Sequence, residues 1–173
     1  MANINPTTAS RDSLISFALE FVQVATHIPG VIWIALFGSL AADKEDPKDV
    51  DLLVAIADDA DLSPLAKAAR RLQGRAQSLN RGGEVFITDS HGKYLGRICP
   101  WRNCGPGYRV SCDALNCGQR PHLHDDLAAI QLSETLIETP PIEIWPRYLE
   151  RVKVPSDLKH AINKEINIPG DQA

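Results

Sequence analysis

An uninterrupted run of seven apolar residues, Val31–Phe37, is the feature that most limits what this chain can fold into. The run is rich in β-branched and aromatic side chains, and Pro29-Gly30 and Gly38-Ser39 bound it, so it predicts a buried central strand. Residues 50–56 and 84–89 have the same strand character and predict two further strands. A sheet built around the first run is therefore the expected centre of the fold.

Helical patterns alternate with these strands. Residues 10–27 carry apolar side chains at i, i+3 and i+4 spacing, with Ser10 as the expected N-cap. Ser63-Pro64 predicts an N-cap followed by proline at the first position of a helix over residues 63–79, and Ser156 is the expected cap of a final helix. This order of elements predicts an α/β (α+β) fold, a small mixed β-sheet with helices packed against it.

Length and composition are those of a folded protein. The chain has 173 residues, of which 44 % are apolar and 23 % are charged, and these values exclude general disorder. We expect one domain over residues 1–173, with a core over 10–90, an irregular cysteine-rich insertion over 99–124 and a C-terminal segment over 125–173. A net charge of −4 argues against a basic surface that coats nucleic acid.

The location expected from the sequence is the cytoplasm. The first residues contain neither the basic region nor the apolar region of a secretory signal. The longest uncharged stretch, residues 28–42, contains proline and glycine and is shorter than the roughly 20 apolar residues that span a bilayer. Cysteines in such a protein are expected to be reduced thiols or metal ligands.

Two acidic residues open the second predicted strand. Asp49 and Asp51 flank Val50, and because side chains alternate between the faces of a strand, both carboxylates lie on one face, about 7 Å apart along the backbone. A few carboxylates suit Mg²⁺ (or Mn²⁺), which leaves its other positions to water and substrate phosphates. Gly38 lets a phosphate approach the backbone, and Ser39 adds a hydroxyl group. A metal site beside a phosphate site is what phosphoryl or nucleotidyl transfer requires.

A helix and a third acid would complete this site. If residues 40–45 begin a helix, its free N–H groups face the same phosphates. Glu84 opens the third predicted strand after a Gly-Gly break and is the first choice for a further metal ligand or the general base. Asp89 is the second choice, at the other end of that strand and about 15 Å away, so only one of the two can join the site.

This pattern resembles the nucleotidyltransferase superfamily typified by DNA polymerase beta, and within it the minimal, stand-alone nucleotidyltransferases of bacteria and archaea. Those proteins have an apolar strand, Gly-Ser, a loop of similar length, Asp-apolar-Asp and a third acid on a neighbouring strand. The matching residues here are Gly38, Ser39, Asp49, Asp51 and Glu84, within residues 10–90.

The resemblance implies a nucleotidyltransferase-like fold. It further implies Mg²⁺-dependent transfer of a nucleoside monophosphate from a nucleoside triphosphate such as ATP, with release of pyrophosphate. Some relatives act in toxin–antitoxin pairs, which implies a regulatory protein partner. Many relatives carry an arginine soon after Gly-Ser, where this chain has Leu40-Ala41-Ala42-Asp43.

Two functions of different classes agree with these features. The first is a nucleotidyltransferase whose acceptor is a protein hydroxyl, an RNA end or a small molecule such as an aminoglycoside. The second is a catalytically inactive nucleotidyltransferase-like binding module that uses a zinc-stabilised loop to contact protein or RNA. Retention of both Asp49 and Asp51 favours the enzyme.

The cysteines form two pairs of equal spacing. Cys99 and Cys104 are separated by four residues, as are Cys112 and Cys117, within a segment that has no helical or strand periodicity. Four thiolates in an irregular loop suggest a structural tetrahedral Zn²⁺, although four intervening residues is at the long end of zinc-knuckle spacing. His122 or His124 could replace one cysteine, and four reduced thiols without metal are the alternative.

Two other features have a functional and a structural interpretation. A basic face on the second helix could hold a triphosphate or RNA, or it could simply be solvated; it consists of Lys67, Arg70, Arg71 and Arg75, with Arg81 beyond it. Trp101 could stack a base or serve packing alone.

Overall fold

The computed structural model describes residues 6–104, 114, 120–125, 127 and 130–170. The elements in chain order are α1 (Pro6–Ala25), β1 (Val31–Phe37), α2 (Gly38–Ala41), β2 (Asp49–Ile56), α3 (Ser63–Gln77), β3 (Gly82–Thr88), β4 (Tyr94–Ile98), β5 (Leu123–His124), α4 (Glu134–Glu138), β6 (Ile142–Trp145), β7 (Leu149–Glu150) and α5 (Ser156–Glu165). Among these residues the strands form one mixed sheet in the order β5-β4-β3-β2-β1-β6-β7. The predicted α/β class, a mixed sheet with helices against it, is confirmed.

The centre of the sheet is one parallel pair inside antiparallel neighbours. β2 and β3 run parallel, and α3 provides the crossover that a parallel pair needs. β1 pairs antiparallel with β2 on one side and with β6 on the other, and β4 pairs antiparallel with β3. The starts of β2 and β3 therefore lie side by side at one edge of the sheet, next to the end of β1.

The two faces of the sheet are covered unequally. The alternate β2 residues Val50, Leu52, Val54 and Ile56 are fully buried in the main core, together with apolar side chains of α1, α3 and α5. On the opposite face, Leu53 and Phe86 join a smaller cluster that α4 covers. Because Asp49 and Asp51 share a face with Leu53, their carboxylates lie beyond the part of that face that α4 covers.

The predicted strands and helices are present, but the predicted helix caps are wrong. α1 begins at Pro6, so Ser10 lies inside it, and Ser63 and Ser156 are the first residues of their helices rather than caps. The backbone N–H of Ser63 donates to Asp61 Oδ1 over 2.9 Å, which satisfies one of the helix's free donors. None of the helices in the described residues is both long enough and apolar enough to cross a membrane.

Candidate active site

Strand register places three carboxyl groups at the open end of the sheet. Asp51 lies directly beside Glu84 in the parallel β2–β3 pair, and Asp49 lies beside Gly82. Alternation along the strands puts the side chains of Asp49, Asp51 and Glu84 on the same face. The structure thus brings together the two aspartates and the preferred third acid, which belong to strands joined only through α3.

Two glycines make room for the aspartates. A Cβ atom on Gly38 would overlap Asp51 Oδ2, and a Cβ atom on Gly82 would overlap Asp49 Oδ1. Gly38 also has φ +76°, a backbone conformation in which side chains other than hydrogen are disfavoured. The end of β1 therefore lies directly against the Asp51 carboxylate, and the glycine is required for that contact.

The negative charges of Asp49, Asp51 and Glu84 repel one another unless a cation or a proton neutralises one of them. Partial burial, followed by the neighbouring charges of Asp49 and Glu84, raises the pKa of Asp51 from 3.8 to about 6. Glu84 is held from the other side by Arg97, whose Nη1 lies 3.2 Å from Glu84 Oε1. The Arg97 guanidinium neutralises the charge of Glu84 alone. Asp49 and Asp51 therefore remain two adjacent carboxylates without a cationic side chain of their own in the described residues, and such a pair attracts a cation.

The donor set suits a magnesium ion that binds together with substrate. Within the ranges that the structure describes, no three His, Cys, Asp or Glu side chains are arranged to hold a metal ion by themselves. Mg²⁺, however, is commonly bound through one or two carboxylates, with water and substrate phosphates at its other positions. Asp49 and Asp51 supply such a pair of hard oxygen ligands, and Glu84 is tied to Arg97. The residues present therefore fit a cation shared with a phosphate-bearing substrate.

Ser39 connects the glycine turn to the aspartates. Its Oγ donates a hydrogen bond of 3.4 Å to the backbone carbonyl of Asp49. α2 is a single turn that ends at Ala41, so the helix expected over residues 40–45 is wrong in extent. The turn follows the strand immediately because Gly38 takes the left-handed conformation, and the remaining residues up to Asp49 form a loop.

Two arginines hold that loop in place. Arg11 on α1 is buried; its Nη1 donates to the carbonyls of Lys44 over 3.1 Å and Ala42 over 3.4 Å. Arg81, just before β3, donates from Nη2 to Asp46 over 2.6 Å and from Nε to the carbonyl of Pro47 over 3.2 Å. Arg11 was not predicted as a functional residue, and its only signal in the sequence is an arginine within an otherwise apolar helix face.

The basic face does not gather at the carboxylates. Arg75 and Arg71 pair with Glu20 on α1, at 2.8 and 3.7 Å, and Arg70 donates to the carbonyl of Pro100 over 2.7 Å. Lys67 lines a groove between α1 and α3 on the helical side of the sheet. The arginines of this face thus link α3 to α1 and to the segment after β4. These contacts favour a structural role for the basic face over a triphosphate site.

Asp89 lies away from the candidate site. It follows the last residue of β3, at the end opposite to Glu84, and its Oδ1 accepts the backbone N–H groups of His91 and Lys93 over 2.8 and 2.9 Å. Its carboxylate thus closes the turn between β3 and β4. Of the two candidates for the third acid, Glu84 alone is beside Asp51.

Half of the cysteines predicted to bind zinc lie outside the residues that the structure describes. Cys99 is buried and Cys104 is half-buried, while Cys112 and Cys117 are not among the described residues. The Cys99 carbonyl lies 3.2 Å from His122 Nδ1, and the Cys99 N–H donates to the His122 carbonyl over 2.8 Å. The ring of His122 thus contacts backbone, and the four-cysteine site stays a prediction.

Comparison with known proteins gives one structural similarity. No family model matches the chain, and no curated protein matches it significantly. The chain is similar to the crystal structure of "a putative nucleotidyltransferase from Sulfolobus solfataricus", with 18 % identity and a TM-score of 0.33. The alignment covers 56 % of this chain and 92 % of that one.

Proposed function

We propose that this protein is a nucleotidyltransferase that moves a nucleoside monophosphate from a nucleoside triphosphate to a hydroxyl group. The observation that carries the proposal is the side-by-side placement of Asp51 and Glu84, with Asp49 on the same face and Gly38 directly against Asp51. The resemblance of the Gly-Ser and Asp-Val-Asp motifs to nucleotidyltransferases supports the same reaction. A cytoplasmic location, where triphosphates and Mg²⁺ are abundant, belongs to this proposal.

In this reaction the acceptor oxygen forms a bond to the α-phosphorus while the bond from that phosphorus to the leaving pyrophosphate oxygen breaks. Mg²⁺ bound at Asp49 and Asp51 would neutralise charge on the phosphates. Gly38 allows the phosphates to approach the backbone, and the Ser39 hydroxyl lies at the same turn. Glu84 accepts the proton of the acceptor hydroxyl, and Arg97 keeps its carboxylate oriented.

The test is transfer of label from each α-labelled nucleoside triphosphate in the presence of Mg²⁺. Lysate and total RNA from the source cell serve as acceptors, so the labelled fraction identifies the acceptor class. The inactive comparison is Asp49→Asn/Asp51→Asn, and Asp58→Asn is the matched control because Asp58 is an exposed aspartate that follows β2. We expect label with the unchanged protein and with Asp58→Asn, and a loss of roughly 10²- to 10³-fold or more in the double variant.

If the unchanged protein transfers no more label than the double variant in any fraction, the proposal that the protein is an enzyme is contradicted. The alternative would then be a binding module, and the segment around Cys99 and Cys104 would be the first place to search for its contacts. Equal labelling by the unchanged protein and the double variant would also contradict the assignment, because it would show transfer that does not use the carboxylates.

A further inference from the structure

A cleft opens on the far side of the carboxylates from Gly38. Its described lining includes the side chains of Gln73, Glu84, Arg97, Trp101 and His124, and its volume is about 230 Å³. Glu84 belongs both to this cleft and to the carboxylate cluster, so any group bound in the cleft lies next to the third acid. The volume is below the roughly 300 Å³ at which pockets for whole drug-sized ligands begin, so the cleft suits a single ring rather than an entire substrate.

The walls of the cleft are chemically suited to a flat, polar ring. Trp101 is 54 % exposed, and an exposed indole presents a flat aromatic face on which a ring can stack. Gln73 brings an amide with both donors and an acceptor, and Arg97 and His124 contribute ring or guanidinium nitrogen atoms. An exposed tryptophan beside hydrogen-bonding side chains is the combination with which proteins hold unstacked nucleobases.

Charge argues against a phosphate as the group bound in this cleft. Glu84 and Arg97, the lining carboxylate and guanidinium, are paired with each other at 3.2 Å. The described lining therefore offers little net positive charge, which a triphosphate would require. The same pairing leaves little net negative charge to attract a polycationic acceptor such as an aminoglycoside.

The order of the strands indicates whether the ring bound in the cleft belongs to the nucleoside triphosphate or to the acceptor. Gly38 and Ser39 lie at the end of β1, on one side of Asp51, and the cleft lies on the other side, along β3 and β4. In phosphoryl transfer the attacking and leaving oxygens lie roughly in line on opposite sides of the phosphorus. If the pyrophosphate leaves toward Gly38 and Ser39, the attacking hydroxyl enters from the side of Glu84, where the cleft is.

We propose that the cleft between Glu84 and Trp101 binds a nucleobase of the acceptor, so that the acceptor is a nucleoside-bearing molecule such as the end of a single RNA strand. This inference rests on the proposed nucleotidyl transfer for the identity of the attacking hydroxyl. Trp101 is then a specificity-determining residue that stacks the base and directs its hydroxyl group toward Glu84.

The test measures binding separately from transfer. The probe is a 5′-fluorescein-labelled pentamer of riboadenosine, whose anisotropy is followed without triphosphate or Mg²⁺. We expect Trp101→Ala to raise the Kd roughly 5- to 100-fold and Trp101→Phe to change it less than about threefold, because phenylalanine retains an aromatic face. Val152→Ala is the matched control, since Val152 is similarly exposed, at 46 %, but lies near β7 at the opposite end of the sheet. We expect no change in that variant.

Competition and transfer assays distinguish a nucleobase of the acceptor from the nucleobase of the incoming triphosphate. We expect unlabelled pentamer and adenosine to displace the probe, and an abasic strand of equal length to displace it at least tenfold less well. In label transfer to the pentamer, Trp101→Ala should raise the KM for the pentamer and leave the KM for the triphosphate unchanged. A higher KM for the triphosphate alone would assign the cleft to the incoming nucleotide and overturn the proposal.

The remaining outcomes distinguish this inference from the proposed function. Equal displacement by the abasic strand, or unchanged binding in Trp101→Ala, overturns the base site even if transfer occurs. Transfer to protein with no binding of the pentamer likewise overturns it while supporting the enzyme. Trp101-dependent binding without any transfer confirms a nucleobase site and contradicts the proposed function.

Discussion

Gly38 and Asp51 are in direct contact across the β1–β2 pair, with no space for a side chain on the glycine. The contact joins the end of one strand to the start of the next and sets the distance between the predicted phosphate site and the predicted metal site. A substitution at Gly38 should therefore act on the site directly rather than through the general stability of the sheet.

We predict that Gly38→Ala lowers transfer at least about 100-fold. The new Cβ would overlap the Asp51 carboxylate and would adopt φ +76°, so both the metal ligand and the turn must shift, and small displacements in an active site have effects of this size. The expected loss of stability is about 1 to 2 kcal/mol by urea unfolding. Gly74→Ala is the control, because a Cβ there meets nothing within 4 Å; it should stabilise α3 by about 0.5 to 1 kcal/mol and leave transfer unchanged. Normal activity of Gly38→Ala would contradict the assigned contact.

The raised pKa of Asp51 predicts a pH-dependent difference between the protein and its Asp51→Asn variant. Burial, then the charges of Asp49 and Glu84, raises this pKa from 3.8 to about 6, so the fold favours the protonated acid. The corresponding stability is present below about pH 4 and is lost as the pH rises through about 6. The full shift corresponds to roughly 3 kcal/mol, which screening by water at this partly exposed group reduces to about 1 to 2 kcal/mol.

Asp51→Asn should therefore become more stable than the unchanged protein by about 1 to 2 kcal/mol between pH 4 and pH 7.5 in metal-free buffer. Urea unfolding at several pH values measures the difference, and Asp58→Asn should show no comparable trend because Asp58 is exposed. A difference of the opposite sign, with Asp51→Asn less stable at pH 7.5, would show that the charged carboxylate stabilises the fold.

Removal of either partner of the Arg11–Asp157 ion pair should greatly lower the free energy of unfolding. They form a two-point ion pair, with Nε 2.8 Å from Oδ2 and Nη2 3.2 Å from Oδ1, which joins α1 to α5. Asp157→Ala would leave the buried guanidinium without its carboxylate, and we expect a loss of about 2 to 3 kcal/mol. Lys159 is also on α5 and forms an exposed ion pair with Glu150 of β7; Lys159→Ala should lose less than about 1 kcal/mol. Similar values for the two variants in thermal unfolding would contradict the assigned role of Arg11.

Arg11→Met should additionally affect the loop before Asp49. It removes the hydrogen bonds to the carbonyls of Lys44 and Ala42 together with the ion pair, so transfer should fall by more than in Asp157→Ala. Comparison of the two variants at a temperature where both are folded separates the loop from overall stability. Equal activity in both would assign Arg11 to the α1–α5 contact alone.

The cysteine pairs predict about one equivalent of zinc in protein purified without chelator. Four thiolate ligands would form a closed structural site, so removal of the metal should lower the melting temperature without abolishing the chemistry of Asp49 and Asp51. Cys104→Ser and Cys112→Ser should each reduce the zinc content. Elemental analysis that finds less than about a third of an equivalent would remove the hypothesis in favour of reduced thiols.

The sequence alone was sufficient for features whose cause is local. The apolar run of β1 and the alternation in β2 each depend on neighbours a few residues apart, and the three predicted strands are present. The predicted start of β3 at Glu84 is wrong, because Gly82 and Gly83 already pair with β2 as the first residues of the strand. Alternation likewise placed Asp49 and Asp51 on one face opposite Val50. Helix caps were less predictable: Ser63 is already the first residue of α3, and its own N–H donates to the Asp61 carboxylate.

Tertiary structure decided everything that depends on register and on distant partners. Glu84 is next to Asp51 only because β2 and β3 pair in parallel with that alignment, and Arg97 reaches Glu84 from a further strand. Arg11 and Asp157 meet across 146 positions of sequence, a separation over which no periodicity carries information. Residue spacing predicts which side chains share a face, whereas burial of the two sheet faces selects which strands become neighbours, and that selection is a property of the whole chain.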